Sequence, residues 1–234
     1  MLLNWIGRWI FPGLLIRLLF PVHIDGIEKL PKYGPAIFVF GPHKSEFESL
    51  VIASHLSRYW LRFFAKQEYW EKHPIIGKLM TGIGLLPIPR QASRALLAQI
   101  DLGVEVLKGE GVVALYPEAT RGLNDDKMHR GYPGFAYMSL RAGGAPVYPI
   151  GLIGMRKLER ADRKGLARLR PGRATMVVGD PVFPMAFRPP EHSGLAEKAL
   201  ERVLVKPFVT RVSKELARLS TAMYDDKPLP IPGG

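Results

Sequence analysis

Six short apolar runs in this chain lack the polar–apolar alternation of a half-exposed strand: Ala36–Phe40, Leu61–Ala65, Leu85–Ile88, Val112–Tyr116, Val147–Ile153 and Thr175–Val178. A strand covered on both faces has no solvent side to supply with polar residues, so such runs predict interior strands. Val22–Ile24 is a candidate seventh. Helical patterns lie between them. Glu46–Leu56 follows Ser45, a residue type suited to capping a helix. Ser93–Leu107 places Leu96, Leu97, Ile100, Val104 and Leu107 at helical spacing. Phe135–Arg141 and Glu197–Leu219 follow, the latter expected to bend near Pro207. Strands alternating with helices predict an α/β fold: a single domain with a mixed, mostly parallel sheet of about seven strands flanked by helices. The 234 residues suffice for a real core, since a chain of this length hides roughly 70–75% of its unfolded surface. Pro146 and Pro149 make the Val147 run an expected edge or irregular strand. Arg156–Arg173, dense in cations, reads as a loop.

The first twenty residues, MLLNWIGRWIFPGLLIRLLF, are apolar except for Asn4, Arg8 and Arg17. Two arginines and the Pro12-Gly13 pair disfavour a membrane-spanning helix. Trp5, Trp9 and the arginines suit the lipid–water interface, so residues 1–21 are expected to form an amphipathic membrane-associating segment, kinked at Pro12. The body is expected over 22–223, with a proline-rich tail over 224–234.

Where the first strand ends, the sequence reads Pro42-His43-Lys44-Ser45-Glu46-Phe47-Glu48. Clefts form at strand ends in open α/β sheets. A carboxylate near an imidazole fixes its tautomer and stabilises its protonated form, which is what a general base requires. The same spacing fits a capping box, with Ser45 as cap and Glu48 reaching back to it, and on this stretch alone the capping box is the commoner explanation. A second stretch, Tyr116-Pro117-Glu118-Ala119-Thr120-Arg121-Gly122, also leaves an apolar run. An arginine fork in such a loop suits a phosphate, whereas a plain surface ion pair would be worth about 0–1 kcal/mol. A third stretch, Lys66–Arg90, sets a cation at each end of an apolar hairpin containing Pro74, Gly77 and Gly84.

In this order and at this spacing, the stretches resemble the glycerolipid acyltransferase family, whose best-known members act on 1-acylglycerol-3-phosphate. The family's His-x4-Asp block is matched by His43 and Glu48; its Lys–Pro–Gly–Arg block by Lys66, Pro74, Gly77 and Arg90; its Phe-Pro-Glu-Gly-Thr-Arg block by Tyr116–Arg121; and its apolar two-proline block by Pro146–Pro149. Val178-Gly179-Asp180-Pro181 resembles the family's last strand and turn, so the resemblance covers roughly residues 22–185. Glu48 stands where the family has Asp, which moves the carboxylate by more than an ångström unless the backbone adjusts. Ala119 replaces a glycine, so this loop residue is expected to avoid positive φ.

The resemblance implies a membrane-associated enzyme that moves a fatty acyl group from acyl-CoA or acyl carrier protein to the free hydroxyl of 1-acylglycerol-3-phosphate. His43 and Glu48 would be catalytic, base and orienter. Lys66, Arg90, Glu118, Thr120 and Arg121 would bind substrate. No metal or resident cofactor is implied; the thioester is a co-substrate. The same chemistry on another lysolipid or glycolipid acceptor, or an inactive lipid-binding protein, are the alternatives. The absence of cysteine excludes thiolate nucleophiles and cysteine-ligated zinc. The net charge of +12 favours an anionic partner: a membrane surface at the cytoplasmic face of the cell membrane, with peripheral or monotopic attachment, and possibly acyl carrier protein. Nucleic acid is not expected, because the cationic Arg156–Arg173 segment lacks interleaved aromatics.

Overall fold

The computed structural model describes residues 11–45, 47–72, 74–82, 84–88, 92–122, 127–161, 167–169, 171–187 and 197–228. Seven strands form the main sheet: β1 (Val22–Asp25), β2 (Ala36–Gly41), β3 (Leu61–Lys66), β4 (Leu86–Ile88), β5 (Val112–Leu115), β7 (Val147–Ile153) and β10 (Ala174–Val178). Their order is β1-β10-β7-β2-β5-β3-β4. All pairings are parallel except β10 with β7. This is the α/β sheet expected from the sequence, and the unalternating runs are buried throughout in β2 and β5.

The two-residue strand period splits the core. Phe38, Phe40, Phe63 and Ile150 face one layer, under α1 (Phe11–Leu19) and α2 (Glu48–His55). Ile37, Val39 and Val113 face the other, under α5 (Ala92–Lys108), α6 (Gly134–Arg141) and α7 (Glu197–Ser220). Pro207 lies inside α7 without dividing it, so the expected bend does not end the helix. Pro12 occupies the first turn of α1, where a missing N–H costs nothing; residues 1–10 lie outside the described residues.

Four expectations are corrected. The supposed hairpin after Lys66 is two helices, α3 (Glu68–Lys72) and α4 (Pro74–Gly82). Pro74 opens α4 rather than breaking it. Gly77 lets the helices close up, since a Cβ there would lie 2.8 Å from the Trp70 ring. Second, β7 is not at an edge. Pro149 stands opposite Val39 of β2 on one side. On the other, the Gly179 N–H donates to the Pro149 carbonyl at 2.8 Å. The return bond is the one proline cannot make, and the β10 ladder stops there, after Val178↔Ile150. Third, the Arg156–Arg173 segment is not all loop: it carries an antiparallel ribbon, β8 (Glu159–Ala161) with β9 (Ala167–Leu169). A parallel ribbon joins β6 (Lys127–His129) to β11 (Met223–Asp225), so the expected tail boundary at 223/224 falls inside a strand.

Three glycines on neighbouring strands form a shelf for the end of α7. A Cβ on Gly151 would lie 2.6 Å from the Leu219 backbone, and one on Gly179 2.8 Å from the Leu219 side chain. Gly41, which pairs with Gly151, would meet Met128 at 2.9 Å. Gly151→Ala forces the helix off the sheet, because the atom it strikes is backbone. The expected loss is about 1–3 kcal/mol, read as a lower urea midpoint with an unchanged m-value.

Candidate active site

Parallel pairing sets Val39 of β2 beside Leu115 of β5. The chain therefore leaves both strands at the same edge of the sheet, and residues 42–48 meet residues 116–122 there. That is where clefts arise in such sheets.

His43 and Glu48 come together. The Glu48 carboxylate approaches His43 Nδ1 at 2.6 Å through Oε2. Its Oε1 accepts the backbone N–H groups of Lys44 and Ser45, each at 2.8 Å. The two readings of this stretch are thus both partly met, by different oxygens of one carboxylate. Oε1 does the loop-closing work of a capping-box glutamate, and Oε2 holds the imidazole. Ser45 itself is not the helix cap. Phe47 occupies that position with no side-chain cap bond, and the Ser45 hydroxyl accepts the Phe47 N–H at 3.1 Å. Helix α2 starts at Glu48 rather than Glu46, which puts the carboxylate at the positive end of the helix dipole. The Glu48 side chain is 1% exposed and that of His43 19%. With Nδ1 engaged as donor, Nε2 is the imidazole nitrogen left to accept a proton.

The second loop clamps the first. Glu118 is fully buried. Its Oε2 accepts the His43 N–H at 2.8 Å and its Oε1 the His129 N–H at 3.1 Å. Burial raises its pKa, opposed by those two N–H groups. The expected binding of substrate by Glu118 is thus set against two backbone bonds, one to each of its oxygens. On the other side of residue 43, the Gly122 N–H donates to the His43 carbonyl at 3.1 Å. Ala119, expected to avoid positive φ, instead adopts φ 58°. Its N–H donates to the Tyr116 carbonyl across a tight turn at 3.2 Å, and the left-handed conformation costs roughly 1 kcal/mol that a glycine would not incur.

Thr120 is half-buried and Arg121 exposed, the latter next to the residue that bonds His43. Lys66 ends β3, the strand beyond β5 along the same edge; Arg90 lies outside the described residues. Among the described residues no three His, Asp or Glu side chains cluster as metal ligands.

Two residues here have no role assigned from the sequence. Tyr116 stacks on the His43 ring, with centroids 4.0 Å apart. His129 joins the site through its backbone and is itself held from the C-terminal ribbon, with Nδ1 3.2 Å from the Lys227 carbonyl and 3.8 Å from an Asp225 oxygen. No spacing rule reaches across that separation. Tyr116 was signalled only by standing in the resembled block, where the family has phenylalanine.

The model of the acyltransferase family matches residues 21–153, more than half of the 234-residue chain. A chloroplastic 1-acyl-sn-glycerol-3-phosphate acyltransferase of Arabidopsis thaliana is 27% identical over 164 residues, 70% of this chain and 44% of that protein. A 1-acyl-sn-glycerol-3-phosphate acyltransferase of Chlamydomonas reinhardtii is 31% identical over 159 residues, 68% of this chain and 46% of that one. The chain thus spans less than half the length of these relatives. The crystal structure of the 1-acyl-sn-glycerophosphate acyltransferase PlsC from Thermotoga maritima superposes with a TM-score of 0.61 at 22% identity, covering 88% of this chain and 79% of that one. That likeness is one of fold.

Glu118→Ala leaves two buried N–H groups without acceptors, at about 1–3 kcal/mol each. The variant is expected to lose about 2–5 kcal/mol, and Glu118→Gln, which keeps one acceptor oxygen, about half as much. Thermal melts of the three proteins check this: equal Tm values would contradict the clamp.

Proposed function

The chain belongs to the acyltransferase family, and we propose that it moves a fatty acyl group from a thioester, acyl-CoA or acyl carrier protein, to the free hydroxyl of 1-acylglycerol-3-phosphate at a membrane surface. The observation that carries this reading is the 2.6 Å pairing of His43 Nδ1 with buried Glu48, which leaves Nε2 as the base beside the loop bearing Arg121.

In this reaction Nε2 takes the hydroxyl proton as the acceptor oxygen attacks the thioester carbonyl. The resulting oxyanion collapses, expels the thiolate and leaves the ester. The imidazolium returns its proton to the thiolate, and the thiol departs. Glu48 orients the ring and balances its charge throughout. Arg121, with Lys66 and Arg90, binds the acceptor phosphate. Thr120 lies between Arg121 and the clamped Glu118 and lines the same loop. The expected substrate-binding role of Glu118 becomes an indirect one, holding the His43 and His129 backbones in register for the acceptor.

Membrane association is supported by α1. Leu14, Leu15 and Leu18 are 57, 57 and 71% exposed, while Arg17, itself exposed, is tied to the end of α2, where its Nε–H donates to the Ser54 carbonyl at 2.7 Å. Exposed leucines beside an exposed arginine are the composition suited to the interface. The Arg17 charge also lies at the C-terminal end of α2, where it is favoured. Among the described residues no helix is long and apolar enough to cross a membrane. The net charge of +12 favours anionic lipid.

Two substitutions test the reading, with thiol release from acyl-CoA measured with and without lysophosphatidic acid. His43→Ala is expected to lower kcat by about 1,000-fold or more and still to melt cooperatively, less stable by the roughly 1–3 kcal/mol of one partner lost from buried Glu48; near-normal turnover would sink the assignment. Arg121→Ala is expected to raise KM for the phosphorylated acceptor about 10-fold with a smaller change in kcat. An unchanged KM would remove Arg121 from the phosphate site.

A further inference from the structure

The resembled family carries phenylalanine where this chain has Tyr116. The ring is what the two residue types share, and in this structure the ring has a defined place. It lies against the His43 imidazole with centroids 4.0 Å apart and planes 14° apart. Its neighbour Phe63 is 6.1 Å away at 26°, and Phe40 is 6.1 Å away at 50°. The Tyr116 hydroxyl meets the Ser49 hydroxyl at 3.1 Å. Ser49 directly follows Glu48 in the first turn of α2, so one turn of helix holds both the imidazole edge and the far end of the ring it rests on. Tyr116 is therefore fixed on several sides and cannot swing away from His43 without disturbing the core.

We propose that Tyr116 is a positioning residue for acyl transfer: its ring is the wall that sets the plane of the His43 imidazole and favours the positive charge that imidazole acquires as it takes the hydroxyl proton. The proposal rests on the reading of His43 as base. Glu48 alone fixes one edge of the imidazole and leaves rotation about that bond open. A flat ring against one face removes that rotation, and the substrate hydroxyl then has a single approach, to the Nε2 lone pair in the plane that the stack sets. The charge effect follows from the negative face of an aromatic ring, which attracts a cation within about 6 Å. Burial and the nearby Glu48 charge raise the phenol's pKa well above its ordinary value, so the hydroxyl stays protonated and the ring neutral. Because the ring face is what acts, phenylalanine should serve nearly as well as tyrosine.

Steady-state thiol release with lysophosphatidic acid, in wild type, Tyr116→Phe and Tyr116→Leu, separates the ring from the hydroxyl. Tyr116→Phe is expected to keep kcat within about 3-fold, and Tyr116→Leu to lower kcat about 10-fold with both KM values within about 2-fold. A Leu variant with wild-type kcat, or a Phe variant as impaired as the Leu variant, overturns the proposal. A second measurement needs no turnover. In histidine-labelled protein in detergent micelles, with His43 assigned by comparison with His43→Ala, the carbon-bound imidazole protons should be shifted upfield by the ring current. The shift should persist in Tyr116→Phe and be lost in Tyr116→Leu. If the Leu variant does not fold, the wild-type shift together with the Phe kinetics decides. Thiol release without the shift overturns the stack. The shift without wild-type thiol release overturns the acyl-transfer reading on which the role rests.

Discussion

A carboxylate that is 1% exposed would ruin a small protein's stability if left unpaired, and Glu48 is that carboxylate. An isolated buried charge costs several kcal/mol, and the protein avoids the cost only by aiming donors at both oxygens. Three donors converge here: the Lys44 and Ser45 N–H groups and the His43 ring. The loop between β2 and α2 has the shape that delivers them. The imidazole is thus not an addition to a finished loop. It is one of the partners that let the loop exist with its charge inside. Glu118 repeats the arrangement one strand away, with the His43 and His129 N–H groups on its two oxygens. Residue 43 is consequently held at its N–H and its carbonyl by the 116–122 loop and at its ring by the first residue of α2.

Support for that corner comes from far along the chain. Glu118 is bonded to β6, which is paired with β11 at the C-terminal end. The Arg130 N–H donates to the Asp225 carbonyl at 2.8 Å, and Lys44 Nζ donates to the Lys127 carbonyl at 3.2 Å. Helix α7 lies between the sheet and this ribbon. It seats on the glycine shelf through Leu219 and covers Ile37 and Val39, the strand residues that precede His43. The position of His43 therefore depends on sheet register, on a close helix–sheet approach and on a terminal ribbon, each of which would move its ring if it slipped.

The sheet was legible in the sequence because double burial leaves a plain mark: apolar runs with no alternation, six of them, all found as strands, with the shorter Val22–Asp25 completing the seven. The histidine–carboxylate pair was legible because its members are five positions apart on a strand-to-helix corner, where local geometry alone brings them together. The misreadings fall where one residue type serves opposite ends. Pro74 starts a helix and was read as part of a hairpin. Pro149, expected to mark an edge or irregular strand, sits in the sheet interior, where one missing donor is harmless because the β10 ladder stops at that point. Ala119 takes a glycine's conformation because the turn is held at its flanks, by Glu118 and Gly122. Tyr116 and His129 enter through long-range packing, which leaves no local pattern to read.

Two buried carboxylates are a poor setting for the phosphorylated acceptor proposed above, and the structure has to offset them. Backbone N–H groups take up much of that charge where it sits, since charge-assisted bonds to amides localise it better than a distant cation does. What remains is still felt: the Glu48 charge helps to raise the pKa of Tyr116. Arg121 is exposed at the loop surface, outward of the two buried carboxylates, and the chain as a whole is at +12. In the proposed reaction this order would keep an anionic headgroup at the rim while its neutral hydroxyl reaches the imidazole. The same order would favour the proposed proton transfer, because the imidazolium would form next to the inner negative charge and the acceptor phosphate would stay against the outer positive one.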